Sequence, residues 1–262
     1  MGGDFLVDQT LSCAIAVMAK ASIPGRAKTR LVPPLTADEA AALNTSFLRD
    51  VGDNLIGASV HANISGYMAF APAGSAAFFR GIMPERIELL ETVAPDFGEC
   101  LFQAARSLLE DGYGAVCLLN SDSPTLPTAY LIAAATALAV PGDRIVLGPC
   151  VDGGYYLIGL KRPHRRLFDD VDWSTERVAA QTLARAKELA LPVHHLPSWY
   201  DVDDADALRV LVRELFEARP FRAWGSRATA ASWTRKELSR LLDGDADLAS
   251  RLGGKMPSSL VA

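Results

Sequence analysis

Lys20, Arg26, Lys28 and Arg30 place four cations in the eleven-residue stretch KASIPGRAKTR, which also holds Pro24 and Gly25. A polyphosphate is bound by such a set: the cations neutralise it and a glycine lets backbone N–H groups approach it. Lys28-Thr29 resembles the end of a P-loop, but the Gly-x-x-x-x-Gly-Lys spacing is missing, which excludes a Walker-type ATPase. The plainer reading is a solvated basic loop. Asp122 stands in NSDSPTLP, where a carboxylate either holds Mg²⁺ or Mn²⁺ or caps a turn. Asp152-Gly153-Gly154 is either a hairpin turn or a backbone that approaches a ligand, with Asp152 on a sugar hydroxyl, an acceptor or a metal. In Asp172-Trp173-Ser174-Thr175, Ser174 or Thr175 suits a helix N-cap, and the helix N-terminus is a place for an anion. Asp201, Asp203, Asp204 and Asp206 put four acids in six residues, more than capping requires. Asp203 with Asp122 would supply two carboxylates from separate loops to one divalent ion.

These loops need elements to carry them. CAIAVMA (13–19), SGYMAFA (65–71), AVCLL (115–119), residues 144–147, YYLIGL (155–160) and residues 193–196 read as short buried strands. Helical periodicity runs from Thr36, whose spacing to Glu39 fits a capping box, through Ala40, Leu43, Phe47, Val51 and Leu55. Further helices are expected over 97–111, 128–139, 178–189 and 204–218. Strands alternating with helices predict βαβ units and a mostly parallel sheet, in which ligands bind outside the carboxyl ends of the strands. The loops named above fall there. Composition shifts after Arg219. We expect an α/β nucleotide-binding unit over 1–218 and a helical extension over 219–262 with a frayed end, which packs on the core or makes a dimer contact.

The chain has 262 residues, and its 26 cationic and 31 acidic side chains give a net charge of −5. A broad basic surface for nucleic acid is therefore not expected. Cys13, Cys100, Cys117 and Cys150 form no C-x-x-C pair and, with His61, His164, His194 and His195, show no zinc-ligand spacing. Buried cysteines in a reducing compartment are the expectation. The N-terminal MGGDFLVDQT lacks a basic signal-peptide region, and the apolar run at 131–140 is far shorter than the roughly 20 residues of a bilayer crossing. The reading is a cytoplasmic protein with no membrane span.

Taken in order, MAKASIPGRAKTRL, NSDSPTLP, GPCVDGGYYLIGL, DWSTERV and DVDDADAL closely resemble a bacterial family of nucleotide-diphospho-sugar transferases, the radical-SAM/selenodomain-associated or glycosyltransferase-A-like group. The resemblance runs from about Cys13 to Leu215. It implies a GT-A-type fold, Rossmann-like with a mixed, mostly parallel sheet. It also implies a Mg²⁺- or Mn²⁺-dependent transferase acting on a nucleotide sugar, or on a nucleoside triphosphate, and an acceptor. On this resemblance Lys20, Gly25, Lys28, Thr29, Arg30, Gly153 and Gly154 serve nucleotide and phosphate binding. Asp122 and Asp203 hold the metal, and Asp152 acts on the acceptor side. Ser123 stands where a D-x-D motif has its second acid, and Asp204 replaces the usual Thr of D-V-D-T. Two other readings stay open: a cofactor-type nucleotidyltransferase that releases pyrophosphate, and a non-catalytic nucleotide-binding module.

Overall fold

The computed structural model describes residues 11–217, 219–221 and 227–252. The expected frayed end from 253, Trp224, and the first ten residues lie outside them. Seven strands make one sheet: β1 (Cys13–Lys20), β2 (Ile64–Ala71), β3 (Glu88–Glu91), β4 (Ala115–Asn120), β5 (Ile145–Pro149), β6 (Tyr155–Leu160) and β7 (Val193–His195). Their order is β3-β2-β1-β4-β6-β5-β7, and only β6 runs antiparallel to its neighbours. The mixed, mostly parallel α/β sheet expected from the alternating pattern is thus present. Around it lie α1 (Ala37–Ser59), α2 (Ala76–Ile82), α3 (Phe97–Glu110), α4 (Thr128–Ala139), α5 (Val178–Glu188), α6 (Ala205–Phe216), α7 (Ser232–Gly244) and α8 (Ala246–Arg251).

Alternation within the central strands splits the core into two layers. Ile15, Val17, Met68, Phe70, Cys117 and Leu119 join residues of α1, α4, α6 and α7 on one side. Ala14, Ala16, Ala69, Val116 and Leu118 face α3, Phe168 and Ala186 of α5 on the other. Both faces of β1 and β4 are covered, which is why these strands read as unbroken apolar runs. All four cysteines are free thiols, three of them buried.

Local signals set most of the boundaries. Thr36 accepts from Glu39 N–H at 3.3 Å while the Glu39 carboxylate takes Thr36 N–H at 2.8 Å, so the capping box is formed. Asp204 caps α6 through Ala207 N–H at 2.9 Å. Two elements escape sequence patterning: α2 has seven residues, and the edge strand β3 (ELLE) carries exposed glutamates at both ends. The expected cap of α5 at Ser174 or Thr175 is not what forms. Ser174 sits at φ +64° in the preceding turn, and α5 opens after Arg177 without a side-chain cap. Thr175 Oγ1 instead donates to Asp172 O and accepts from Arg177 N–H.

The described part of the C-terminal extension packs on the core. Helix α7 begins after Ala231, which offers no side-chain cap. Its orphan N–H groups are met from another helix: Asp50 of α1, only 6% exposed, accepts from Trp233 N–H at 3.0 Å and Thr234 N–H at 2.8 Å. Asp53 takes the Trp233 indole N–H at 2.9 Å, and the Arg49 guanidinium lies 4.6 Å from that ring's centroid. Burial pushes the Asp50 carboxyl pKa upward against these bonds from Thr234 and Trp233. Replacing Asp50 by Ala leaves the buried Thr234 N–H and the part-buried Trp233 N–H unpaired and is expected to cost about 1–3 kcal/mol in urea unfolding. The exposed Asp38→Ala, measured alongside, is expected to cost under about 1 kcal/mol.

Candidate active site

The parallel strands β1 and β4 end side by side, and the loops that follow them meet above the sheet. The loop after β1 is bound down by Ala21 N–H to Ala71 O at 3.0 Å and by the buried Asn44 of α1, which donates to Ser22 Oγ at 2.8 Å. It turns at Gly25 (φ +73°) and again at Lys28 (φ +51°), the latter an uncommon conformation for a side chain with a Cβ. The second turn sends the Lys28 side chain inward, leaving it 6% exposed, with its ammonium 5.4 Å from the Phe47 ring centroid.

There Lys28 Nζ lies 2.8 Å from Asp122 Oδ1 and 2.9 Å from Asp203 Oδ1, and it donates to Val202 O at 2.8 Å. Three oxygens surround one ammonium, matching its three hydrogens in number. Arg30 Nη2 adds a 2.6 Å contact to the other oxygen of Asp203. Burial opposes the Lys28 charge, but Asp122 and Asp203 outweigh it, so the ammonium pKa lies above its ordinary value. Burial likewise opposes the Asp203 charge, and Lys28 and Arg30 overcome it to hold that carboxyl below its usual range.

Asp203 reaches this point because residues 196–203 form a strap along the strand ends. Leu196 N–H bonds Leu147 O at 2.9 Å, Trp199 N–H bonds Pro149 O at 3.0 Å, and Val202 N–H bonds Asp122 O at 2.8 Å. Ser123 Oγ donates to Tyr200 O at 2.9 Å. Val202 is fully buried, so Asp201 and Asp203 emerge on the same side of an extended segment. The loop after Asp122 is braced from behind as well, by Thr229, which donates to Pro124 O and Thr125 O.

Sequence reasoning counted Asp201 among the four acids of DVDDAD but gave a metal role only to Asp203. The available signal was the i, i+2 spacing of two acids around an apolar residue. One donor atom each of Cys150, Asp152 and Asp201 lie within 4.8 Å of one another. Burial, and then the charges of Asp152, Asp203 and Asp122, raise the Asp201 carboxyl pKa from 3.8 to about 7. Burial, and then the charges of Asp201, Asp152, Asp122 and Asp203, push the Cys150 thiol far above its ordinary value. Four aspartates from three loops therefore share one electrostatic pit, two of them bridged by Lys28.

The hairpin alternative for Asp152-Gly153-Gly154 is what the structure contains: β5 and β6 pair antiparallel across it. Asp152 Oδ1 accepts from Gly154 N–H at 2.8 Å, and Cys150 N–H bonds Gly154 O at 2.9 Å. Gly153 is at φ +94°, and a Cβ there would stand 2.1 Å from Glu176 O. Gly153 thus has a packing reason independent of any ligand, and the turn still delivers Asp152 to the acid pit. Lys20, at the end of β1, and Gly25, Arg26 and Thr29 on the loop that follows are exposed. Lys20 and Arg26 make no ion pair among the described residues, whereas Lys28 and Arg30, expected to face phosphate, are engaged with carboxylates.

The donor set suits a hard cation. Asp122 and Asp203 already share one cation between them, in the form of the Lys28 ammonium, and carboxylate oxygens are the ligands Mg²⁺ and Mn²⁺ prefer. A separate cleft of about 450 Å³ lies between the start of α3 and residues 165–173, lined among others by Asp96, Glu99, Arg165, Asp172 and Trp173.

Residues 57–175 match the profile of a family described as "Uncharacterized protein conserved in bacteria (DUF2064)". No curated protein matches the chain. A solved structure from Desulfovibrio desulfuricans G20, provisionally designated a nucleotide-diphospho-sugar transferase, is 28% identical with a TM-score of 0.73, over 88% of this chain and 97% of that one. CMP:2-keto-3-deoxy-manno-octonic acid synthetase complexed with CTP is 10% identical with a TM-score of 0.51, over 79% of this chain and 99% of that one. A cytidylyltransferase from Leptospira borgpetersenii serovar Hardjo-bovis (strain JB197) is 12% identical with a TM-score of 0.51, over 91% of this chain and 96% of that one. The last two speak for fold alone. The fold is of the GT-A type, as the motif order implied.

Two measurements probe this geometry. Gly153→Ala is expected to destabilise by about 1–3 kcal/mol. Gly142→Ala, at the closely similar φ of +92° in open space, is expected to cost less, because only Gly153 adds a clash with backbone. For Asp201, the folded chain keeps a proton between pH 4 and about 7 that the unfolded chain has lost, so stability falls as pH rises through that window. In chelator-containing buffer, Asp201→Asn is expected to flatten this decline and to melt above the wild type at pH 8.

Proposed function

We propose that the chain is a divalent-cation-dependent transferase that uses an activated nucleotide, with glycosyl transfer from a nucleotide diphosphate-sugar as the leading reaction. The observation that carries it is the meeting of Asp122, Asp203 and the cation-bearing first loop at the carboxyl ends of β1 and β4, where open α/β sheets bind ligands. The likeness to the Desulfovibrio protein supports the same reading. The narrower radical-SAM/selenodomain-associated placement, the cytoplasmic location and the division at residue 218 belong to this proposal. No helix among the described residues is long and apolar enough to cross a membrane.

In this reading Asp122 and Asp203 would hold Mg²⁺ or Mn²⁺, which supplies charge neutralisation to a leaving diphosphate. Lys20, Arg26 and the backbone around Gly25 and Thr29 bind the phosphates, and Lys28 and Arg30 add positive charge at the base of the site. Charge fixed in place before reaction stabilises the charge that develops as the bond breaks. Asp152 has Oδ1 held by Gly154 N–H, so Oδ2 is the oxygen offered to an acceptor hydroxyl. Gly153 and Gly154 keep that carboxylate at the rim.

Thermal unfolding with Mn²⁺ or Mg²⁺, crossed with nucleoside triphosphates, diphosphates and nucleotide sugars, tests the proposal. A true ligand at 100 times its Kd stabilises by about 2.7 kcal/mol, roughly 5–10 °C for a chain of this size. A metal-dependent shift with a nucleotide sugar, lost in Asp122→Asn, is the expected result. A preference for a triphosphate with pyrophosphate release would move the assignment to nucleotidyl transfer. Binding without turnover of any donor would leave a nucleotide-binding module, and no shift with any nucleotide would overturn the reading.

A further inference from the structure

The ammonium of Lys28 stands between Asp122 and Asp203, at a place where the two share a cation, and this bears on how the site is loaded. It is 2.8 Å from one carboxylate and 2.9 Å from the other, with its third hydrogen on Val202 O. Two cations of like charge cannot both occupy that gap, because at a few ångströms they repel strongly even with substantial screening. Arg30 holds only the outer oxygen of Asp203 and leaves the shared position to Lys28. The lysine is carried by a loop whose backbone is held on both sides: at Ala21 and Ser22, by Arg26 and Ala27 N–H to Ile23 O, and by the 3-10 turn at Thr29–Leu31 with Leu31 fully buried, so the freedom to move lies in the lysine side chain. Its four-carbon stem lets the ammonium move several ångströms by rotamer change alone.

We propose that Lys28 is a resident counter-cation of the acid pair, exchanged for the divalent ion on loading and released toward the phosphates of the nucleotide. The inference rests on the reading that Asp122 and Asp203 form the metal site. It assigns Lys28 two positions: between the acids, where it keeps two half-buried carboxylates from facing each other unpaired, and on the leaving phosphate. Metal and nucleotide binding are then coupled through one side chain. The ion frees the lysine that the phosphates need, and the phosphates hold that lysine away from the ion's place. Reciprocity requires each to tighten the other.

The test is Mn²⁺ binding without nucleotide, followed by the electron paramagnetic resonance of the free ion, in the full-length protein. Removing a competitor should strengthen binding, so Lys28→Met is expected to bind Mn²⁺ about tenfold or more tightly than the wild type. A residue that served only the phosphates would leave Mn²⁺ affinity unchanged. Asp122→Asn and Asp203→Asn are expected to lose the ion in either background. Should Lys28→Met fail to fold, the wild type gives the answer by reductive methylation read by mass spectrometry. Lys28 is expected to be protected in chelator and to become several-fold more reactive in saturating Mn²⁺, with surface lysines such as Lys187 unchanged. Equal or weaker Mn²⁺ binding by a folded Lys28→Met, unchanged Lys28 labelling, or no Mn²⁺ binding by the wild type would overturn the exchange. Metal-dependent nucleotide binding by the wild type judges the transferase reading separately: its presence beside an unchanged Mn²⁺ affinity of Lys28→Met overturns the exchange alone, and its absence beside tighter Mn²⁺ binding by Lys28→Met overturns the transferase reading alone.

Discussion

One buried ammonium holds the upper edge of this molecule together. Lys28 joins the loop after β1, the loop after β4 and the strap before α6, three segments that are 80 or more residues apart in sequence. A lysine that is only 6% exposed is tolerated when it is fully paired, and each carboxylate it pairs is relieved of a like-charged neighbour. Withdrawing any one of the three leaves the others as uncompensated charges in a poorly solvated place. The site is thereby preorganised by charge rather than by apolar packing, and a divalent ion meets acids that are already aimed at a common point.

The apolar framework decides where that charge can sit. β1 and β4 are covered on both faces, so only their ends are open to polar side chains. The strap from Leu196 to Asp203 follows this edge with backbone bonds to β5 and to Asp122, and the buried Val202 fixes which way its acids point. Behind the strap, Tyr200 receives a bond from Thr125 and donates to Glu214, and Thr229 closes on Pro124 and Thr125. The C-terminal helix α7, capped from α1 by Asp50, is thus continuous with the wall that supports Asp122. What composition marks as a separate tail contributes to the back of the site.

The acid pit gives the four aspartates unequal characters. Asp203 has two cations and is held ionised, whereas Asp201 has burial and three acids around it and gains a proton near neutrality. Asp152 stands at the exposed hairpin tip, close to Asp201 and Cys150. Identical side chains two to eighty residues apart are differentiated only by what the fold brings next to them.

Much of this was legible without coordinates. Apolar runs marked β1, β2, β4 and β6 because doubly covered strands must be apolar throughout, and the Thr36–Glu39 and Asp204 caps act over three residues, within the reach of pattern reading. Asp122, Asp152 and Asp203 were visible as acids at strand ends, since the parallel topology tells where strand ends lead. The structure alone decided that Lys28 and Arg30 pair with Asp122 and Asp203, because that depends on a left-handed turn and on partners some 90 to 175 residues away. It alone decided that Gly153 is required by the Glu176 backbone, that α5 starts without its expected cap, and that Asp201 belongs to the pit. Local hydrogen bonds and periodicity are written in short stretches of sequence; which charges neutralise one another is set by distances that exist only after the chain has closed on itself.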